Sequence, residues 1–166
     1  MSEEIAIAII WVSTARAKEI KSPLICSGVR SIDKNELTIA IGKIYDIFAH
    51  RGIDEQYFTE NNTQGIAKTL EIAKTDFDGL CYTNLVDCDM LYGHRRDIDG
   101  YAKAISEFDD CLPRLAGDLR DDDFLIITAD HGCDPGFKGT DHTREYVPLL
   151  LSLIHISEPT RLQLIS

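Results

Sequence analysis

The chain has 166 residues, enough to bury one hydrophobic core, and it is 44% hydrophobic and 27% charged, as is typical of a globular domain. Its formal net charge of −11 argues against nucleic acid or an anionic membrane as a partner, because both repel an acidic protein. No apolar run approaches the ~18–20 residues of a membrane span. The 5 cysteines include no C-x-x-C pair, which favours a reducing compartment, and we predict a cytoplasmic location.

Apolar periodicity predicts alternating strands and helices along the chain. Residues 5–12 have the pattern of a strand, and residues 15–21 have that of a helical turn. Further strands are predicted at residues 37–41, 77–83, 124–127 and 146–150, and helices at residues 43–49, 61–74 and 97–119. This alternation predicts an α/β fold with a mostly parallel sheet and helices on both of its faces.

Each predicted helix has an apolar stripe that is expected to face the core. The stripes of the first two helices consist of Ile44, Ile47 and Phe48, and of Ile66, Leu70 and Ala73. The third helix, which Pro113 is expected to kink, carries Ile98, Tyr101, Ala102, Ile105, Phe108, Leu112 and Leu115 on one side. Residues 121–123 are predicted to be a solvated acidic turn.

The stretch of residues 128–144, T-A-D-H-G-C-D-P-G-F-K-G-T-D-H-T-R, follows a predicted strand. Asp130 and His131 come just past the carboxyl end of that strand, where open α/β sheets bind their ligands. An adjacent carboxylate and imidazole can bind one divalent ion, and His142 follows in the same stretch. Taken alone, the stretch is equally consistent with a polar, Gly-rich surface loop.

A second stretch, residues 84–96, N-L-V-D-C-D-M-L-Y-G-H-R-R, also follows a short apolar strand. The carboxyl ends of parallel strands meet at one edge of a sheet, so we predict that the two stretches lie side by side. Together they offer a set of carboxylate and imidazole ligands, for which manganese is the best match. The candidate ligands are Asp89, His94, Asp130, His131 and His142. Two ions a few ångströms apart would bind a phosphoryl group between its attacking and leaving oxygens.

These motifs carry a family resemblance. The segments D-M-L-Y-G-H-R, A-D-H-G-C-D-P and G-T-D-H-T-R-E, with G-K-I-Y-D-I-F upstream, resemble phosphopentomutases, which are alkaline-phosphatase-like metalloenzymes. The resemblance implies a three-layer alkaline-phosphatase-like core with a mostly parallel sheet, of which residues 31–150 would be the C-terminal, incomplete part. Cofactor-independent phosphoglycerate mutases are similar at D-x-x-x-H and A-D-H-G, but their first motif is one residue shorter and they lack G-T-D-H-T-R-E.

The resemblance also implies the roles of individual residues. One manganese ion would be bound by Asp89, His94 and His142, and a second by Asp130 and His131. Lys43, in G-K-I, would lie near the substrate, although an exposed lysine at a helix start remains an alternative. Phosphopentomutases interconvert α-D-ribose 1-phosphate, or 2-deoxyribose 1-phosphate, and the 5-phosphate, so a phosphorylated pentose is the implied partner.

In that family a phosphorylated threonine between the two metal ions carries the phosphoryl group. This threonine and one further metal-binding aspartate lie in a region that the chain lacks, and Thr128 and Thr140 do not match the nucleophile. We therefore assign no catalytic residue and predict that the 166-residue chain has no mutase turnover.

The two ends of the chain fall outside the resemblance. Residues 1–30 match no part of the family. Because the resemblance begins abruptly after them, out-of-frame translation of residues 1–30 is favoured over divergent coding sequence. Residues 151–161, L-S-L-I-H-I-S-E-P-T-R, resemble the translation of a transposase-type sequencing adapter, so residues 151–166 are interpreted as an artefactual tail. Two other functions remain open: another alkaline-phosphatase-like metalloenzyme, such as a phosphoglycerate mutase, or a non-catalytic metal-binding module.

Overall fold

The computed structural model describes residues 7–13, 36–121 and 123–153. The strands of this part of the chain are β1 (Ile7–Ser13), β2 (Leu37–Ile41), β3 (Glu55–Tyr57), β4 (Gly79–Leu85), β5 (Phe124–Ala129) and β6 (Leu149–Leu153). The helices are α1 (Ile44–Ile47), α2 (Asn62–Ile72), α3 (Ile98–Asp109) and α4 (Leu112–Asp118), and a π-helical turn spans Cys88–Gly93. None of the described helices is long and apolar enough to cross a membrane.

The strands form one 6-stranded sheet in the order β3-β2-β4-β1-β5-β6. β2 pairs in parallel with β3 and β4, whereas β1 is antiparallel to both of its neighbours, β4 and β5. β4 and β5 therefore point in the same direction, and only β1 and β6 of the described strands oppose them. The predicted α/β class with a parallel sheet is confirmed.

β1 lies in the middle of the sheet, where it separates β4 from β5. The strand predicted at residues 5–12 is observed at Ile7–Ser13, and the helical turn predicted at residues 15–21 lies outside the described residues. β6 crosses the predicted boundary at residue 151. The divisions of the chain at residues 30 and 150 stay predictions, which sequencing of the intact locus would check.

α2 shows how a local signal sets a helix start. The side chain of Asn61 accepts a hydrogen bond from the backbone N–H of Gln64, which satisfies one of the unpaired donors at the first turn. Leu70 and Ala73 are buried and Ile66 packs against the core, as their spacing predicts. The helix predicted at residues 61–74 is thus confirmed, apart from its ends.

The prediction of one kinked helix over residues 97–119 is wrong, because the chain forms two helices, α3 and α4, and Pro113 lies in the first turn of the second. A proline is tolerated there because the first backbone N–H groups of a helix have no intrahelical partner.

The apolar stripe predicted for this helix is also partly wrong. Ile98 and Ile105 are 57% and 43% exposed, whereas Ala104 and Phe108 are buried. The sequence of α3 has two neighbouring apolar stripes, and the helix packs against the core with only one of them.

The hydrophobic core lies between one face of the sheet and helices α2, α3 and α4. Alternate strand residues such as Ile39, Ile41, Cys81, Leu85 and Leu125 point to this face, as the twofold period of a strand requires. The helices contribute Leu70, Phe108 and Leu115. This packing fixes the positions of the strand ends that carry the candidate site.

The single turn α1 begins with the buried Ile44, as predicted, but Ile47 is 60% exposed, which corrects the predicted stripe. The helix ends at Ile47, and the next residue, Phe48, packs the edge of its ring against Tyr82 of β4 instead. The prediction of a solvated acidic turn is wrong for Asp123, which is buried and accepts hydrogen bonds from Arg120.

Candidate metal centre

The two motif stretches follow strands that point in the same direction. Asp89 comes shortly after β4 and His131 shortly after β5, so both lie at the carboxyl edge of the sheet. This is the edge at which open α/β sheets bind ligands. Because β4 and β5 point in the same direction, the two stretches lie at the same edge of the sheet, as predicted.

The π-helical turn explains why an aspartate and a histidine five residues apart can act together. The backbone N–H of His94 donates to the carbonyl of Asp89 over 3.2 Å, which is the wide hydrogen-bond spacing of a π turn. As a result, Nε2 of His94 lies 3.2 Å from Oδ2 of Asp89. Asp89 is completely buried, whereas the His94 ring is partly exposed.

His142 joins this pair from the other stretch, residues 128–144. Its Nε2 lies 3.3 Å from Nε2 of His94 and 3.8 Å from Oδ1 of Asp89. The ring of His131 lies against that of His142, with 3.6 Å between the ring centroids. Asp89, His131 and His142 each offer one ligand atom within 4.8 Å of the others. The two stretches therefore converge on one small volume.

Backbone carbonyls hold two of the imidazoles in a defined orientation. Nδ1 of His94 lies 2.6 Å from the carbonyl oxygen of Thr140, and Nδ1 of His131 lies 3.0 Å from that of Gly132. A carbonyl oxygen only accepts, so each Nδ1 must carry the proton and donate it. A neutral ring then presents the lone pair of Nε2 to the site, which is how metal-binding histidines are usually fixed.

The atoms that face one another in the site are almost all acceptors. Both carboxylate oxygens of Asp89 and Nε2 of His131 are buried and have no hydrogen-bond partner among the described residues. Nε2 of His94 faces the Asp89 carboxylate with a lone pair rather than a proton. Such an arrangement is electrostatically unfavourable unless a cation lies between the acceptors. The residues present therefore fit a divalent metal ion bound by carboxylate oxygen and imidazole nitrogen.

The state of His142 suits the same role. Burial lowers the pKa of this imidazole, and the neighbouring rings of His131 and His94 lower it further, while Asp89 and Asp130 oppose the shift. The neutral form, which is the form that binds a metal, is therefore favoured at neutral pH.

The structure groups the predicted ligands differently from the two sets that were predicted, one for each metal ion. Asp89, His94, His131 and His142 lie in one cluster, so His131 adjoins the residues predicted for the first ion. Asp130 is exposed at the end of β5 and lies outside the group of converging ligand atoms.

Lys43 reaches the same edge from β2. Gly42 turns the chain there with a φ of +82°, and a Cβ at this position would lie 2.6 Å from the carbonyl oxygen of Asn84, so only glycine fits. The ammonium of Lys43 then donates to Sδ of Met90 over 3.1 Å, which puts it beside the π-helical turn that carries Asp89.

Sequence reasoning missed two residues that shape the site. A Cβ on Gly93 would lie 2.7 Å from Sγ of Cys133 and 3.1 Å from Oδ1 of Asp89, so this glycine makes room for the close approach of the two loops. Arg96 donates to three backbone carbonyls in residues 128–144. The signal that the sequence offered was that both residues lie within two positions of His94.

Comparison with known proteins agrees with this geometry. Residues 38–163 match the family described as the metalloenzyme superfamily, and the chain belongs to it.

Among its curated relatives are phosphopentomutases. That of Lachnoclostridium phytofermentans is 57% identical over 113 residues, which cover 68% of this chain and 29% of the relative. That of Acetivibrio thermocellus is 58% identical over 112 residues, with the same shares of 68% and 29%. That of Carboxydothermus hydrogenoformans is 50% identical over 131 residues, or 79% of this chain and 34% of the relative. The predicted resemblance to phosphopentomutases is confirmed, and the chain spans about a third of the length of these relatives.

Proposed function

We propose that this chain is the metal-binding part of a phosphopentomutase. The complete enzyme would interconvert α-D-ribose 1-phosphate, or 2-deoxyribose 1-phosphate, and the corresponding 5-phosphate by phosphoryl transfer at a dinuclear manganese site. The observation that carries the proposal is the convergence of Asp89, His94, His131 and His142, in which the two Asp89 oxygens and Nε2 of His131 are buried acceptors with no hydrogen-bond partner among the described residues. The 50–58% identity to phosphopentomutases supplies the reaction class.

The roles of the chain's own residues follow from their contacts. Asp89 would supply the negative charge that holds the first ion, because both of its oxygens are buried and have no hydrogen-bond partner in the described part of the chain. His94 and His142 would bind through Nε2, and the carbonyl of Thr140 orients the first of these rings. Manganese ions bound there would neutralise the charge on a phosphoryl group, which is the main requirement of phosphoryl transfer.

A second ion would be held by His131 together with Asp130. His131 already presents its buried Nε2 towards the cluster, while the carboxylate of Asp130 is exposed. With these two residues alone, the second ion would be weakly bound, because two protein ligands leave most of its coordination positions to water or substrate. Lys43 would bind substrate phosphate, since its ammonium lies at the same edge of the sheet.

Manganese titration of the purified 166-residue chain by calorimetry tests the metal site. His142→Ala should weaken binding by about 10–100-fold or more, because even loss of a group that only supports a metal ligand costs that much. His50→Ala is the matched control, since His50 is an exposed histidine paired with Asp46. Absence of manganese binding, or an equal loss in both variants, would contradict the site.

Assays of the protein encoded by the intact locus test the reaction. Conversion of ribose 1-phosphate to ribose 5-phosphate is the expected result, and a preference for 3-phosphoglycerate would instead indicate a phosphoglycerate mutase. Manganese binding without turnover of either substrate would indicate a metal-binding module. The 166-residue chain by itself should show no mutase turnover, because it contains no residue that matches the threonine nucleophile; measurable ribose 5-phosphate formation would refute this.

We place the enzyme in the cytoplasm, and we expect its partner to be a phosphorylated pentose rather than nucleic acid or membrane. The four cysteines in the described residues, Cys81, Cys88, Cys111 and Cys133, are free thiols, which fits a reducing compartment. The net charge of −11 would repel polyanions, and bound cations would reverse the field only at the site itself.

A further inference from the structure

Arg96 connects the two stretches that form the candidate metal centre. Its Nη1 donates to the carbonyl oxygen of Asp134 over 2.8 Å, and its Nη2 donates to that of Asp141 over 2.6 Å. Its Nε donates to the carbonyl oxygen of Gly139. One guanidinium group thus donates to three backbone carbonyls of the same loop.

This loop carries the groups that complete the site. His142 follows directly after Asp141, and the carbonyl of Thr140 accepts the proton of Nδ1 in His94. The contacts of Arg96 therefore lie on both sides of the one carbonyl that orients His94. A shift of the loop by a fraction of an ångström would lengthen that hydrogen bond and move His142 away from Asp89.

The backbone of Arg96 is in the left-handed region, with a φ of +56°. This conformation is unfavourable for a residue with a Cβ, and such residues persist where surrounding contacts compensate for the strain. A glycine would adopt this backbone at no cost but would have no guanidinium. The strained arginine is thus consistent with a role for its side chain.

We propose that Arg96 is a positioning residue that fixes residues 134–141 against the His94 motif and thereby sets the tautomer of His94 and the place of His142. Its effect on metal affinity rests on the proposed function, while its effect on the imidazole does not. Lysine cannot replace it, because an ammonium has no planar fork that reaches three carbonyls at once. The neighbouring Arg95 is exposed, and Arg95→Lys is the matched control.

The first measurement needs no metal. Long-range ¹H–¹⁵N spectra of the metal-free 166-residue chain at pH 8, above the ordinary His pKa of about 6.5, report which ring nitrogen carries the proton. His94 in the unsubstituted chain should carry it on Nδ1, and Arg96→Lys should shift this ring towards a mixture of tautomers, whereas Arg95→Lys should leave it unchanged. A proton on Nε2 of His94 in the unsubstituted chain would overturn the proposal even if Arg96→Lys failed to fold.

The second measurement is manganese affinity. Arg96→Lys should weaken binding by about 10–100-fold, the range found for other groups that orient metal ligands, and Arg95→Lys should change it less than twofold. If manganese binds and Arg96→Lys alters neither the tautomer nor the affinity, the positioning role is wrong and the metal site stands. If the tautomer shifts but no variant binds manganese, the metal site is wrong and the positioning role stands.

Discussion

Replacement of Asp89 by asparagine should stabilise the metal-free protein and abolish metal binding. Asp89 is 0% exposed, and neither of its carboxylate oxygens has a hydrogen-bond partner in the described part of the chain. Nε2 of His94 lies 3.2 Å from Oδ2, and Nε2 of His142 lies 3.8 Å from Oδ1. Because Nδ1 of His94 donates to the carbonyl of Thr140, a lone pair rather than a proton faces the buried carboxylate.

The magnitude follows from the cost of burying such a group. An uncompensated buried charge costs several kcal/mol, and partial protonation of the neighbouring imidazoles or entry of water reduces that cost. Asparagine has the same shape and no charge, and its amide can donate to Nε2 of His94. We expect the free energy of unfolding without metal to rise by about 1–3 kcal/mol. In a domain of this size each kcal/mol corresponds to roughly 2–4 °C in Tm.

Manganese should reverse the order of the two proteins. At an ion concentration about 1,000 times the dissociation constant, binding would stabilise the unsubstituted chain by ~4.1 kcal/mol, which exceeds the advantage of the metal-free variant, and the variant would gain nothing. Thermal unfolding followed by circular dichroism, with EDTA and with manganese, measures both effects. Asp87→Asn is the matched control, because Asp87 accepts a 2.8 Å hydrogen bond from the backbone of Asn62 and should not become more stable when its charge is removed.

If Asp89→Asn proved less stable than the unsubstituted chain in EDTA, the carboxylate would have to be compensated in the metal-free fold. The inference that the site holds an uncompensated charge would then be refuted.

Two further predictions concern the packing around the site. Gly93→Ala should weaken manganese binding at least ~10-fold in a calorimetric titration, because the added Cβ would lie 2.7 Å from Sγ of Cys133. Gly117→Ala is the control, since a Cβ there would have nothing within 4 Å. It should leave the affinity unchanged and stabilise α4 by about 0.5–1 kcal/mol. Burial raises the pKa of Cys88 to about 12. The rate at which this thiol is alkylated should therefore keep rising up to pH 10, whereas the rate for an exposed thiol levels off above its pKa of ~8.5. Peptide mass mapping measures both rates. Cys133, which is only half-buried, should react faster than Cys88 at pH 8, and the reverse order would contradict the burial seen here.

Much of the architecture follows from patterns that are local in the chain. The strands at Leu37–Ile41 and Gly79–Leu85 and the helix at Asn62–Ile72 were predictable because apolar period and a capping asparagine act over a few residues. The candidate ligands were also visible, since carboxylate and imidazole side chains directly follow two predicted strands. The split of the third helix was missed because Pro113 fits the first turn of a helix as well as it fits a kink.

Other features depend on which segments meet. Ile98 and Ile105 have helical spacing as good as that of Ala104 and Phe108, and only the approach of the sheet decides which pair is buried. No local pattern indicates that β1 lies between β4 and β5 and is antiparallel to both, because strand order and direction depend on pairing between distant residues.

The candidate site divides in the same way. By itself, the sequence determined which residues have metal-binding chemistry and that they follow strand ends, because residue type and short-range period are properties of neighbouring positions. Only the tertiary structure decided that His131 joins Asp89 and His142 while Asp130 stays exposed. It also decided that backbone carbonyls turn the histidines, with Thr140 lying 46 residues from His94. The physical reason is that lone-pair directions, burial and charge compensation arise from contacts between segments far apart in the chain.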